Sequence, residues 1–254
     1  MRYSRFYTDQ VININEPLCI TGPRAHYMRN VLRLNVGDKL CLFNGRGGEF
    51  DSLIKQVSKH EVILEILSFS DINRKSPIHI ELGLALIKRE AMDAAVQKAT
   101  ELGVSKVQPL ICHNNSVSVS GMEKRLVHWQ EVSINACEQC GLNIRPSIAA
   151  PIETAEWFSQ NADLKLLASP FSKKSIDDIL FKPTHLEQKD LEKKDARPSR
   201  IFIAIGPEGG FTSDEIQSAI EYGFADIFLG KRILRADTAA SSMMTLVQSQ
   251  WGDL

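Results

Sequence analysis

The stretch Ile201-Phe202-Ile203-Ala204-Ile205-Gly206-Pro207-Glu208-Gly209-Gly210-Phe211-Thr212 decides the fold. Its first five residues are all apolar, too short a run for a helix and right for a strand buried on both faces. The run enters Gly206, Gly209 and Gly210 and then Thr212-Ser213-Asp214-Glu215. That tetrapeptide is a capping box, and it opens a helix to Tyr222 with Gly223 past its end. A strand, a glycine turn and a helix form the βα unit of an open parallel sheet. Ligands bind such sheets outside the carboxyl ends of the strands, and glycines let backbone approach them closely. The spacing is neither GxGxxG nor the P-loop pattern, so neither a dinucleotide site nor a nucleoside triphosphate site follows. A tight turn with no ligand is the competing reading.

Working outward, the same alternation continues in both directions. Strands are expected over Ile78 to Ile87, Val104 to Leu110, Leu164 to Ala168 and Phe224 to Leu229. Helices are expected over Glu90 to Leu102, Met122 to Gln139, Ala155 to Ser159 and Ala239 to Gln250. The fold class is therefore α/β, a mostly parallel sheet with helices on both faces. A second strand-to-glycine loop, Leu229-Gly230-Lys231-Arg232-Ile233-Leu234-Arg235-Ala236-Asp237-Thr238-Ala239, precedes the last helix. Two such loops in one sheet can line one pocket. The bland reading makes Arg235 and Asp237 a charge pair at a helix start, with Asp237 favoured by the helix dipole.

The first 70 residues read differently. Short apolar runs at Val11 to Ile14, Leu18 to Ile20, Lys39 to Phe43 and Val62 to Leu67 alternate with turns such as Asn44-Gly45-Arg46-Gly47-Gly48. They suggest a small β-barrel, with one short helix from His26 to Leu34 carrying Arg29 and Arg33 on one face. Residues 71–77 read as a polar linker and 78–254 as the α/β domain. The highly charged stretch at about 183–200 reads as an exposed, mobile surface insertion.

Of 254 residues, 30 are Lys or Arg and 31 are Asp or Glu, a net charge of -1. That sum excludes a uniformly basic nucleic-acid coat and an acidic disordered chain, but it hides an asymmetry. Residues 1–48 hold Arg2, Arg5, Arg24, Arg29, Arg33, Lys39 and Arg46 against Asp9, Glu16 and Asp38, a local net of +4. Aromatic residues Tyr3, Phe6, Tyr7 and Tyr27 lie among them. Arginine forks bind phosphate and aromatic faces stack on unpaired bases, so RNA contact competes here with an ordinary solvated face. No run of about 18 apolar residues predicts a transmembrane helix, and the start lacks a signal peptide's apolar core. Cys19, Cys41, Cys112, Cys137 and Cys140 are odd in number and scattered, which fits a reduced cytoplasmic protein. Cys137 and Cys140 form a lone CxxC without the further ligands that zinc needs, so no metal is expected.

The two glycine loops, in this order, resemble those of the SPOUT methyltransferases. Within them they resemble the bacterial 16S rRNA uridine N3-methyltransferases, the ribosomal RNA small subunit methyltransferase E family. Val31-Leu32-Arg33-Leu34-Asn35-Val36-Gly37-Asp38, Gln97-Lys98-Ala99-Thr100-Glu101-Leu102-Gly103 and Ala136-Cys137-Glu138-Gln139-Cys140-Gly141 also match, and the resemblance spans nearly the whole chain. It implies a PUA-like, RNA-binding β-barrel and a C-terminal trefoil knot. It implies S-adenosylmethionine as cofactor, a homodimer, and a uridine near the decoding centre of the 30S subunit as target, with no DNA or membrane partner. The cofactor would lie against Leu167, Ala168, Ser169, Gly206, Pro207, Glu208, Gly209, Gly210, Leu229, Gly230, Ile233, Leu234, Arg235, Ala236 and Thr238. RNA would meet Arg2, Arg5, Arg24, Arg29, Arg33, Arg46 and Arg145.

Methylating N3 of a uridine means removing its proton, so a carboxylate or a cation should stand near the methyl. Arg235, Asp237 and Glu208 are the catalytic candidates, with Glu138 a further carboxylate in a matching motif. A role as cap of the glycine turn is equally open to Glu208. The chain departs from the family at Leu142, where an arginine is usual, and in the Cys112 to Val117 segment, which also usually carries one. Asp237 stands where the family commonly has glutamate. Arg145 is expected to replace one missing arginine. A related RNA methyltransferase with another target, and a catalytically silent RNA-binding homologue, are the alternative functions.

Overall fold

The computed structural model describes residues 4–180 and 197–254. They divide into two compact units. The first takes in the chain up to Lys75 together with Ile134–Arg145, and the second takes in Ser76–Ser133 and Pro146–Leu254. Arg2 and most of the charged stretch at 183–200 lie outside the described residues.

The first unit is built on a five-stranded sheet of β1 (Ser4–Tyr7), β2 (Pro17–Thr21), β3 (Lys39–Phe43), β4 (Glu49–Val57) and β5 (Glu61–Ser70). The strand order is β1-β3-β4-β5-β2, antiparallel except for the parallel pair β1 and β3. Alternate residues point inward, so Phe6, Leu18, Ile20, Leu40, Leu42, Ile54, Val62, Leu64 and Ile66 fill one core. Two expectations fail here. Val11 to Ile14 pairs with nothing among the described strands: it bends into a turn closed by the Glu16 amide on the Asn13 carbonyl, and Asn15 takes a positive φ of 67°. The helix is α1 (Gly22–His26), continued by a π-helical turn over Tyr27–Val31. Arg33 lies beyond it with φ 54°, so Arg29 and Arg33 do not share a helical face.

The second unit holds a parallel sheet of β6 (His79–Ala85), β7 (Lys106–Ile111), β8 (Ser147–Ile148), β9 (Ile152–Glu153), β10 (Leu164–Ala168), β11 (Arg200–Ile205) and β12 (Ala225–Ile227). The order is β12-β10-β11-β6-β7-β8, with β9 also on β7, and every pairing is parallel. The helices of the unit are α2 (Arg89–Glu101), the first part of α3 (Met122–Cys140), α4 (Thr154–Phe158), α5 (Ile176–Leu180), α6 (Ser213–Glu221) and α7 (Ala236–Trp251). They flank the sheet, α2 packing with α7 and α4 with α6. The core runs through Ile80, Leu82, Leu84, Ile201, Phe202 and Ile203, all fully buried, as strands covered on both faces require. The capping box is present: the Thr212 hydroxyl accepts from the Glu215 amide, and the Glu215 carboxylate accepts from Thr212. The last helix begins three residues before the expected Ala239, which puts Ala236, Asp237 and Thr238 in its first turn.

Candidate active site

Because every strand of the central sheet runs the same way, the carboxyl ends of β10, β11 and β12 meet at one edge. The segments after them enclose a cavity of about 400 Å3, within the usual range for small-molecule sites. Ala168, Ser169, Pro170 and Phe171 come from the first segment, Ile205 to Phe211 from the second, and Leu229, Gly230 and Arg232 to Ala236 from the third, with Ile216 and Ala239 added from helices. Of the residues expected at the cofactor, all line this cavity except Leu167 and Thr238. Leu167 is fully buried inside β10, and Thr238 is an exposed residue of α7. Arg235 and Glu208 line it too, whereas Asp237 stands one residue beyond the lining residue Ala236.

The cavity is largely walled by backbone and small or apolar side chains. At Gly206 a β-carbon would come within 3.1 Å of the Phe211 ring, so the turn leaves little room for a side chain there. Gly210 turns with φ 72°, and its amide donates to the Pro207 carbonyl at 2.8 Å.

A segment that sequence reasoning left without a role supports this turn from behind. The Asn114 side-chain amide donates to the Gly210 carbonyl at 3.1 Å and the Gly209 carbonyl at 3.5 Å. The Ser116 hydroxyl donates to the Glu208 carboxylate, and the His113 backbone amide donates to Glu215 at 2.9 Å. Burial raises the Glu208 carboxyl, but the Ser116 bond, backbone amides and the Lys88 charge outweigh it and leave it below the ordinary value. The Glu208 carboxylate thus ties the glycine turn to Ser116. Asp237 is different. Its Oδ1 is buried and has no hydrogen-bond partner among the described residues, beside the positive end of α7. Arg235, at the N-terminal boundary of α7, is exposed.

The structure also sorts the expected RNA-facing arginines, which belong to the first unit, Arg2 lying outside the described residues. Arg5 is nearly buried, paired with Glu49 and stacked over Phe43. Arg24 pairs with Glu138 at 2.5 Å, lies 4.1 Å from the Phe6 ring centre and donates to the Tyr7 carbonyl. Glu138 also accepts the Tyr7 amide at 2.9 Å, so both its partners belong to the barrel, and it does not line the cavity. Arg29 donates to the Ser58 and Lys59 carbonyls. Arg145 stacks on Tyr7 at 5.4 Å, and Leu142, at the family's usual arginine position, is buried with Phe43 and Cys137. Arg33 and Arg46 remain exposed. The Cys137 thiol is pushed up to about 12, chiefly by burial, so it is inert. Among the described residues no helix is long and apolar enough to cross a membrane, and no group of three or more His, Cys, Asp or Glu is placed to hold a metal.

Comparison with known proteins agrees with this geometry. The family described as RNA methyltransferase domain matches residues 74–248, and the family described as RNA methyltransferase PUA domain matches residues 20–67. Ribosomal RNA small subunit methyltransferase E of Buchnera aphidicola (subspecies Acyrthosiphon pisum) is 34% identical over 98% of this chain and 94% of its own. A Legionella pneumophila protein solved with bound SAM superposes with TM-score 0.90 at 33% identity, covering all of both chains. Ribosomal RNA small subunit methyltransferase E from Neisseria gonorrhoeae, solved bound to S-adenosyl methionine, superposes with TM-score 0.86 at 32% identity, again over all of both chains.

Proposed function

The chain belongs to the RNA methyltransferase family, and on that premise we propose that it transfers a methyl group from S-adenosylmethionine to N3 of a uridine in 16S rRNA, near the decoding centre of the 30S subunit. The observation that carries this reading is the cavity. The two glycine loops that the sequence picked out and the segment after β10 that the resemblance implied line it together, and glycine backbone and apolar side chains form walls suited to a nucleoside. The residues present fit the cofactor: the Gly206–Gly210 turn offers backbone groups, while Ile205, Phe211 and Ile216 offer apolar contact. When bound, S-adenosylmethionine supplies an electrophilic sulfonium methyl.

Displacement at that carbon asks the protein mainly for alignment. A methyl group placed on N3 would displace its proton, so the residues around the cavity would have to stabilise the uracil anion and take up that proton. Arg235 stabilises the negative charge that develops on the uracil ring, as a fixed cation aimed at the transition state does. Asp237, whose Oδ1 has no partner among the described residues at the start of α7, is the carboxylate that takes up the proton. Glu208 holds the glycine turn in shape. The exposed Arg33 and Arg46 of the PUA unit contact RNA phosphates. The family's trefoil knot, a homodimer and a cytoplasmic setting belong to the same reading.

The test is methylation of 30S subunits and of naked 16S rRNA from a strain lacking the modification, with the product base mapped by nucleoside mass spectrometry. N3-methyluridine at one site is expected with the wild-type protein. Arg235→Ala should lower the rate about 100-fold or more with S-adenosylmethionine affinity, by calorimetry, within a few-fold. A modified ribose or another base would replace the uridine assignment, and no heat with S-adenosylmethionine would favour a silent RNA-binding protein.

A further inference from the structure

The rim of the cavity carries outward-facing apolar side chains set among cations. Among the described residues, the two most exposed large apolar side chains are Phe171, at 84%, and Ile233, at 75%. Both border this one cavity, from the segments after β10 and β12. Each is flanked by cations: Lys173 follows Phe171, and Lys231, Arg232 and Arg235 surround Ile233. All four are exposed, and none of their side chains has a hydrogen-bond or ion-pair partner among the described residues.

Two outward apolar groups set among unpaired positive charges match one kind of occupant. A small apolar ligand would leave the charges unused, and a free anion would leave the ring unused. An unpaired nucleotide within an RNA strand uses both, because its base has a flat face and its flanking phosphates are anionic. We propose that Phe171 and Ile233 form a jaw that grips the extruded target base, Phe171 by stacking on it, while Lys231 and Arg232 hold the phosphates on either side. The inference rests on reading the cavity as the methyl-donor site, and it adds the residues that select the substrate base.

The experiment uses the full chain with Phe171→Ala, Phe171→Tyr and a Lys231→Ala/Arg232→Ala pair. Three readouts are followed: the KM for 30S subunits or 16S rRNA, the affinity for S-adenosylmethionine by calorimetry, and anisotropy binding of a short uridine-containing single-stranded RNA. Losing one stacked base should raise the RNA KM and weaken oligonucleotide binding about 5- to 100-fold in Phe171→Ala, with cofactor affinity within twofold. Phe171→Tyr keeps a ring and should restore binding to within a few-fold. The cation pair should flatten the salt dependence of RNA binding. Unchanged RNA binding in Phe171→Ala would overturn the proposal. So would a drop in cofactor affinity, which would place the ring on the methyl donor, or a changed mass by light scattering, which would place it between copies of the chain. A wild-type protein that binds RNA through Phe171 but shows no heat with S-adenosylmethionine would sink the methyltransferase reading and leave the jaw standing.

Discussion

At the residue scale, Asn114 shows how a departure from a family pattern resolves into a local contact. The resemblance leads one to expect an arginine between Cys112 and Val117, and none is there. Instead the Asn114 amide donates to the Gly209 and Gly210 carbonyls. Its β-carbon is so close that one added at Gly209 would come within 3.1 Å of it. Asn114→Ala should therefore loosen the glycine turn and leave the core intact. Two hydrogen bonds with a net value of about 1 kcal/mol correspond to a roughly 5- to 10-fold loss of S-adenosylmethionine affinity, measurable by calorimetry, with the melting temperature nearly unchanged. An unaltered affinity would show that the turn holds its own shape. None of this was legible beforehand. An asparagine in a loop reads as turn chemistry, and its partners lie 95 and 96 residues away.

At the element scale, the parallel strands were legible where the signal was local. The run Ile201 to Ile205 and the capping box at Thr212 carry their signals in consecutive residues, and both appear as expected. The start of α7 was misplaced because Arg235, its N-terminal boundary residue, makes no side-chain capping bond and so gives no start signal. Strands β1 and β4 escaped notice, β1 because its parallel partner β3 is set by the fold of the unit. One glycine shows what pairing alone imposes. On β6, a β-carbon at Gly83 would stand 2.5 Å from the indole of Trp157, which stacks on Phe202 at 4.8 Å. Gly83→Ala should overpack this contact and cost about 1–3 kcal/mol, a fall of several degrees in the melting temperature. A smaller ring in the double variant with Trp157→Phe should recover part of it. Equal melting temperatures for wild type and Gly83→Ala would mean the indole moves aside freely.

At the scale of the whole molecule, near-neutral charge coexists with buried carboxylates that depend on their cations. Glu81 is 3% exposed at its side chain and meets Arg200 at 2.6 Å, Lys106 at 3.2 Å and His79 at 3.1 Å. Burial raises its carboxyl, but the Arg200 and Lys106 contacts and His79 bring it below the ordinary 4.5. Glu49, between Arg5 and Arg74, is lowered in the same way against the same burial. A lowered folded-state value means the stabilisation is fully present above the unfolded value and is lost as the pH falls through the folded one. Melting temperature should therefore drop steeply on acidification below about pH 4.5, and less steeply in Glu81→Gln. At pH 7 that variant should be less stable by about 1–2 kcal/mol, since the buried carboxylate's charge-assisted bonds to the partly exposed Arg200 and Lys106 are lost. Parallel pH curves for the two proteins would remove Glu81 from the acid transition.

The sequence by itself determined the α/β class, the glycine turn after β11 and the family, because each is written in short runs whose periodicity, capping and order need no distant partner. Only the tertiary structure decided which charges are free to meet a ligand. Arg5, Arg24 and Arg29 look as available in the sequence as Arg33 and Arg46 do, yet the fold spends the first three on Glu49, Glu138 and backbone carbonyls and leaves the other two exposed. The physical reason is that a buried or half-buried guanidinium must find acceptors. Which acceptors lie within reach is set by strand register and helix placement, and a count of charges cannot show it.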